Sequence, residues 1–300
     1  MILSAKPELL LLIGLPASGK STRAREWQQE DPDARIIVNY DSLRIGMFGP
    51  DWRFNRKEEN QMKAHADGIA QKALNAGLSV VIDNTNLTDR VRQHWRDLAK
   101  GLGATVAEEE IDTPVAECIR RDRLRTNKAR VGQAVIDRMA LFHGFINWQD
   151  YPNQFVVCDI DGTLSDPSHR LHLVAGLAQP KDWDKFHDLV GHDTLKEPIA
   201  RLLRHFRSLG YHIIICSGRW IGDRCGKDTE DWLHRNGISY DHLFMRQSHD
   251  SRPDVEIKGE ILDLLPIDKI AYVIDDRPQV LRMWQAAGLT TLAVGDLKEF

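Results

Sequence analysis

The sequence predicts an α/β protein made of two Rossmann-like, three-layer domains with mainly parallel sheets. Three observations carry that prediction. Short runs of strand length, most of them apolar, alternate with longer helical stretches: 9–13, 36–38, 78–82 and 105–111 in the first half, then 155–158, 211–216 and 271–274 in the second. Such alternation reads as βαβ units with buried parallel strands. Most of these runs end on polar or acidic residues, at the strand ends where α/β sheets gather ligands. The pattern also breaks and restarts across 149–153, where Pro152 marks a linker, and 300 residues suit two domains. The expected domains are 1–148 and 149–300.

Bulk composition excludes several classes. Hydrophobic content of 42% and charged content of 28% are those of an ordinary globular protein. No run approaches the ~20 apolar residues of a membrane helix, and the apolar N-terminus runs directly into a functional loop without a cleavage site. Cys118, Cys158, Cys216 and Cys225 lack metal-ligand spacing and read as reduced thiols, so a cytoplasmic location is expected. The net charge of −4 advertises no global affinity for nucleic acid.

The first element is the most informative. Residues 9–13 lead into Gly14-Leu-Pro-Ala-Ser-Gly-Lys-Ser21 and a helix over 20–28, the strand, glycine turn and helix of a phosphate-binding P-loop. Glycines at 14 and 19 let backbone N–H groups converge, and the helix N-terminus adds partial positive charge. Gly14, Ser18, Gly19, Lys20, Ser21 and Thr22 are the expected nucleotide contacts. Lys20 would serve the β- and γ-phosphates and Ser21 a Mg²⁺ ion.

The second run, 36–38, ends at Asn39-Tyr-Asp41, which puts a carboxylate where an acceptor would bind. The run 78–82 ends at Asp83, the usual place for a metal-proximal acid. The strand 105–111 carries the acidic run 108–110, odd for a central strand. A helix over 114–127 ends in Arg120, Arg121, Arg123, Arg125, Lys128 and Arg130, a basic span that reads as a lid over the transferring phosphoryl group. A further helix is expected over 133–143.

In the second half, Asp159-Ile-Asp-Gly-Thr-Leu164 follows an apolar run. Carboxylates at i and i+2 suit one group to attack phosphorus and the other to exchange a proton with the leaving oxygen. Ser217-Gly-Arg219 follows the next run, Lys258 lies on a later helical stretch, and Asp275-Asp276 closes the last run. Together these pieces resemble the signature of the haloacid dehalogenase phosphatase superfamily. That resemblance implies Asp159 as nucleophile, Asp161 as acid/base, and Ser217, Gly218 and Arg219 as phosphate contacts. It also implies Lys258 beside the phospho-aspartate, with Asp159, Asp161, Asp275 and Asp276 at a Mg²⁺ site. His169, His172, His187 and His192 fit no ligand spacing and are expected to be surface or supporting residues.

The pair of halves resembles the bifunctional polynucleotide 5′-kinase/3′-phosphatase family of T-even phage type, over nearly the whole chain. The resemblance implies ATP as phosphate donor, Mg²⁺, nucleic-acid ends as substrates, a downstream ligase and a homo-oligomer. It implies Asp41 as base for the 5′-hydroxyl and Arg44 on the nucleotide's 3′-phosphate. It further implies Asp83 near the metal and acceptor, Arg125 as lid arginine with Arg121 or Arg123 as alternative registers, and Arg170 in the phosphatase site. Where that family has an aspartate directly before Thr-Asn-Leu, this chain has Asn84, and the segment 171–193 has no counterpart. A chain that both adds and removes phosphate avoids idling if its two sites act on different positions, as broken nucleic-acid ends offer. The competing expectations are a fused small-molecule kinase and phosphatase, since both chemistries are substrate-blind, and a nucleotide-gated scaffold.

Overall fold

The computed structural model describes residues 6–50, 52, 54–126, 129–174 and 181–295, and the chain divides into two compact units between Leu124 and Arg125. The first unit comprises β1 (Glu8–Ile13), α1 (Lys20–Gln29), β2 (Arg35–Val38), α2 (Tyr40–Phe48), α3 (Arg56–Asn75), β3 (Ser79–Ile82), α4 (Asp89–Gly101), β4 (Thr105–Glu110) and α5 (Val115–Arg123). Its sheet is parallel in the order β2-β3-β1-β4.

Successive strand side chains point to opposite faces, and both faces of β1 are apolar. Leu9 and Leu11 pack with Ala66 and Ala70 of α3 and Trp95 and Ala99 of α4. Leu10 and Leu12 pack instead with Ala24 and Trp27 of α1. Burying each such leucine contributes about 1.5–3 kcal/mol, so the alternation itself builds three layers. The acidic run that is odd for a central strand belongs to β4, which is an edge. There Glu108 meets Arg96 at 2.6 Å and Glu109 meets Arg23 at 2.7 Å.

The second unit contains α6 (Gln133–Phe142), β5 (Phe155–Cys158), β6 (Ser165–Asp166), α7 (Ser168–Leu171), α8 (Trp183–Asp188), β7 (Thr194–Leu195), α9 (Glu197–Ser208), β8 (His212–Trp220), α10 (Asp223–Arg235), β9 (His242–Arg246), α11 (Asp254–Leu262), β10 (Ile270–Asp275), α12 (Pro278–Ala286) and β11 (Thr291–Ala293). Its main sheet is parallel in the order β11-β10-β5-β8-β9. Val156, Cys158, Ile213 and Ile215 face Leu203, Phe206, Trp232 and Leu233 on one side. Phe155, Val157, Ile214 and Cys216 face Ile257, Ile261, Val280 and Trp284 on the other.

Packing puts α6 with this second sheet, whereas a boundary at 148/149 groups it with the first half. Ala134 and Leu141 join the two apolar clusters, and the Asp137 carboxylate accepts the Leu243 N–H and pairs with His242, both at 2.9 Å. A linker's composition marks where the chain is loose, not which sheet the preceding helix covers. The four cysteines are buried and none forms a disulfide. Among the described residues no helix is long and apolar enough to cross a membrane.

Candidate active sites

In the first unit, β1 ends in a loop of left-handed and extended residues: φ is 156° at Gly14, 62° at Ala17 and 114° at Gly19. A Cβ at Gly14 would lie 2.9 Å from Ser18 Oγ and 3.0 Å from the Ile111 carbonyl, so glycine is required there by space as well as by φ. Lys20 folds back over the loop and donates to the carbonyls of Gly14 and Leu15 at 3.0 and 2.6 Å and to Ser18 Oγ at 3.4 Å. Carbonyls of the loop's own backbone thus help to hold this buried ammonium. The Thr22 N–H caps back to the Gly19 carbonyl at 3.0 Å, and Ser21 stays exposed at the helix start.

Asp41 occupies the first turn of α2, which Asn39 caps by accepting the Ser42 N–H at 2.8 Å. Its side chain is 83% exposed and takes the Arg44 Nη1 donor at 2.5 Å. The rest of the Arg44 fork is held by Glu59 of α3 through two 2.9 Å bonds. Glu59 is a residue sequence reasoning missed, because α3 carries no motif. Asp83 is buried at the end of β3, with its backbone and carboxylate oxygens taking Asn39 Nδ2 at 2.7 and 3.2 Å. The neighbouring Asn84 accepts the Tyr40 N–H at 3.0 Å.

The basic span separates into two groups. Arg121 Nη1 donates to the Ser18 carbonyl in the phosphate loop at 3.0 Å, while its Nε is held by Glu117 at 2.7 Å. Arg125, the preferred lid arginine by sequence, lies beyond the division between the units and donates to the Ala129 carbonyl at 3.0 Å. The reason is helical: α5 ends at Arg123, so the turn that faces the loop is the one carrying Arg121. Lys128 lies outside the described residues.

In the second unit, four strand ends and α11 converge. Lys258 Nζ, 1% exposed, donates to Asp159 and Asp275 at 2.8 Å each and approaches Asp254 at 3.4 Å. Burial opposes that ammonium, but Asp159, Asp254 and Asp275 outweigh it and hold Lys258 well above its usual range. Burial pushes the Asp159 carboxyl up against the pull of Lys258, with Asp275 and Asp276 adding to the push. Gly162, at φ 85°, lets the chain pass so close that a Cβ would overlap the Asp276 carboxylate.

Asp159, Asp275 and Asp276 each offer an oxygen within 4.8 Å of the others. Three hard oxygen donors with one ammonium between them leave the cluster short of positive charge, and this donor set fits Mg²⁺. Asp161 does not join them. Its Oδ1 takes Arg170 Nη2 at 2.6 Å and Arg219 Nε and Nη2 at 2.9 and 2.6 Å. Against the opposing effect of burial, Arg219 and Arg170 hold its carboxyl well below the usual range.

Both guanidinia are fully buried and share a second acid, Asp193, which binds Arg170 at 2.7 Å through each of its oxygens and also takes Arg219 and Ser165. Asp193 carried no signal in sequence because it lies outside any motif. Ser217 is buried, accepting the Arg219 N–H at 3.3 Å, and a Cβ on Gly218 would sit 2.3 Å from Asp254 Oδ1.

A cavity of about 270 Å³ opens on Asp159, Asp161 and Gly218; Arg246, Arg252, Asp254 and Arg277 also line it. His187, expected at the surface or in support, is 5% exposed and forms part of the cavity wall. The helix α8 that carries it turns inward because Phe186 packs under Arg170, 4.1 Å from its guanidinium. A histidine among Lys and Asp gives no hint of this burial in sequence.

Comparison with known proteins also finds two parts, with the break between residues 143 and 153, after α6. Residues 153–298 match the family model described as the polynucleotide kinase PNKP phosphatase domain, and residues 9–143 match an AAA domain. A candidate bifunctional polynucleotide kinase/RNA ligase of Autographa californica nuclear polyhedrosis virus is 26% identical over 309 residues, covering 97% of this chain. The chain spans only 42% of that relative's length. A chain in a solved Pnkp1/Rnl/Hen1 RNA repair complex is 27% identical, with 97% of both chains covered and a TM-score of 0.40. A second structure of that complex gives 29% identity, the same coverage and a TM-score of 0.39.

Proposed function

We propose that the protein heals nucleic-acid ends, proceeding from the matches of residues 153–298 to the polynucleotide kinase phosphatase domain and of residues 9–143 to an AAA domain. It transfers the γ-phosphate of ATP to 5′-hydroxyl ends and hydrolyses 3′-phosphate ends. The observation that carries the reading is the presence on one chain of a phosphate loop and a buried Asp159–Lys258 pair inside a domain of that phosphatase family.

In the kinase half, Lys20 exchanges its loop carbonyls for the phosphates of ATP, and Asp41 accepts the proton of the attacking 5′-hydroxyl. Arg44, oriented by Glu59, binds the 3′-phosphate of the same nucleotide. Arg121 neutralises charge as the phosphoryl group moves.

In the phosphatase half, Asp159 attacks phosphorus, the bond to the 3′-oxygen breaks, and Asp161 gives that oxygen a proton. Water then attacks the phospho-aspartate, returns a proton to Asp161 and releases inorganic phosphate. Asp161 can hold that proton only when Arg170 and Arg219 turn from it to the substrate phosphate. Asp159, Asp275 and Asp276 would hold a divalent cation, which would supply charge neutralisation for the transferring group. The products, a 5′-phosphate and a 3′-hydroxyl, are the ends a ligase consumes, in keeping with the ligase in the viral relative's name.

The test is incubation with ATP, Mg²⁺ and an oligonucleotide bearing a 5′-hydroxyl and a 3′-phosphate, with both ends analysed. Both ends should change. Asp159→Asn should lose only dephosphorylation, and Lys20→Ala only phosphorylation. Preference for a free nucleoside over the oligonucleotide as phosphate acceptor would replace this reading with a small-molecule kinase and phosphatase.

A further inference from the structure

The phosphatase cavity has an aromatic wall that the phosphoryl chemistry leaves unused. Trp183, Phe186, His187, Trp220 and His249 all line it. His187 stacks on Trp220 with centroids 4.2 Å apart and planes at 26°, and Trp183 continues the stack at 6.2 Å and 27°. Trp183 is 45% exposed, so part of its ring is open to a ligand.

The local sequence holds this ring in place. Asp182 caps α8 by accepting the Lys185 N–H at 2.9 Å, which sets Trp183 at the helix start. One turn on, Phe186 packs edge-on to Trp183 at 5.7 Å and lies under Arg170, whose Nη1 also donates to the Phe186 carbonyl at 3.3 Å. On the other side, Trp220 directly follows Arg219 on β8. Both ends of the aromatic stack are therefore tied to the two arginines that face Asp161. Burial lowers the His187 imidazole to about 3, so the middle of the stack is neutral at physiological pH.

We propose that Trp183, backed by His187 and Trp220, is the platform on which the nucleobase of the 3′-terminal nucleotide stacks while the Asp159 site removes its phosphate. The proposal rests on the end-healing reading above. A flat ring lining the cavity onto which Asp159 also opens suits a leaving group that carries a base. The volume, near the ~300 Å³ lower end of small-ligand cavities, suits one nucleotide, not a duplex. The exposed Lys181 ammonium, 5.9 Å from the Trp183 centroid, gives way to the base and stays beside the chain's phosphates.

Base–aromatic stacking contributes enough to move binding by about tenfold or more, and it tolerates any base. The experiment compares 3′-phosphate oligonucleotides with a normal and with an abasic 3′-terminal nucleotide. The full chain and its Trp183→Ala and Trp183→Phe variants are assayed for kcat and KM.

Wild type should prefer the base-bearing end by about tenfold in kcat/KM, mainly through KM, with little dependence on which base it is. Trp183→Ala should erase the preference by losing rate only on the base-bearing end, and Trp183→Phe should keep most of it. Equal losses on both ends, as a misfolded or merely structural variant would give, overturn the proposal. So does a wild type indifferent to the base, which leaves the end-healing reading standing. A wild type that hydrolyses acetyl phosphate but no 3′-phosphate end overturns both.

Discussion

The two proposed phosphate sites meet the same electrostatic problem with different materials. The phosphate loop of the first unit is mostly backbone. Its lysine rests on carbonyl oxygens of its own loop, and Asp41 stands in solvent. The second site is mostly side chain, with Lys258, Arg170, Arg219, Asp159, Asp193 and Asp275 all buried and mutually paired. Backbone N–H and C=O groups come with the chain, so a glycine-shaped turn needs few special residues. Buried ions must be brought from separate strands and are stable only as a complete set.

The largest expected effect follows from that contrast. Lys258→Met should destabilise the second unit by about 3–5 kcal/mol, because it leaves Asp159 and Asp275 buried without a cation, and it should abolish dephosphorylation. Lys20→Met should abolish phosphorylation yet cost less than about 1.5 kcal/mol, since the Gly14 and Leu15 carbonyls it touches are neutral acceptors that water can serve. Urea unfolding of both variants, with each unit followed separately, measures this. Equal destabilisation by the two changes would dissolve the distinction between the sites.

A smaller effect sharpens the first site. Arg121 touches the Ser18 carbonyl, so Arg121→Ala should lower kcat for phosphate transfer by about 10²–10³ while KM for ATP moves less. Arg125→Ala should change kcat by no more than about threefold. Steady-state kinetics on both variants decide it, and the reverse ranking would restore Arg125 as the lid residue.

The smallest effect is a pH dependence of the second unit. Burial lowers His187 from an ordinary ~6.5 to about 3, so between those values the unfolded chain binds a proton that the folded chain does not. Its contribution is complete above pH 6.5 and is lost as pH falls toward 3, by at most about 1.4 kcal/mol per pH unit. Urea midpoints at pH 7 and pH 5 should therefore lie closer together in His187→Gln than in wild type. An unchanged gap would mean that His187 charges freely in the folded state.

How much was legible in the sequence follows from how each part is built. The phosphate loop is contiguous, and its glycines, Lys20 and Ser21 could be read directly because neighbours in sequence are neighbours in space. Continuous apolar runs likewise marked β1, β2, β3, β5, β8 and β10 and the strand ends at or beside which Asp41, Asp83, Asp159 and Asp275 stand, while β9 and β11 went unread. The structure alone decided which side chains meet across distance. Asp193 joins Arg170 to Arg219, Glu59 holds Arg44, and His187 closes an aromatic wall. It also decided that Arg121 faces the loop and that α6 covers the second sheet. Local pattern records backbone preference and burial, whereas these pairings depend on how far each helix runs and where it packs, which no single stretch of residues encodes.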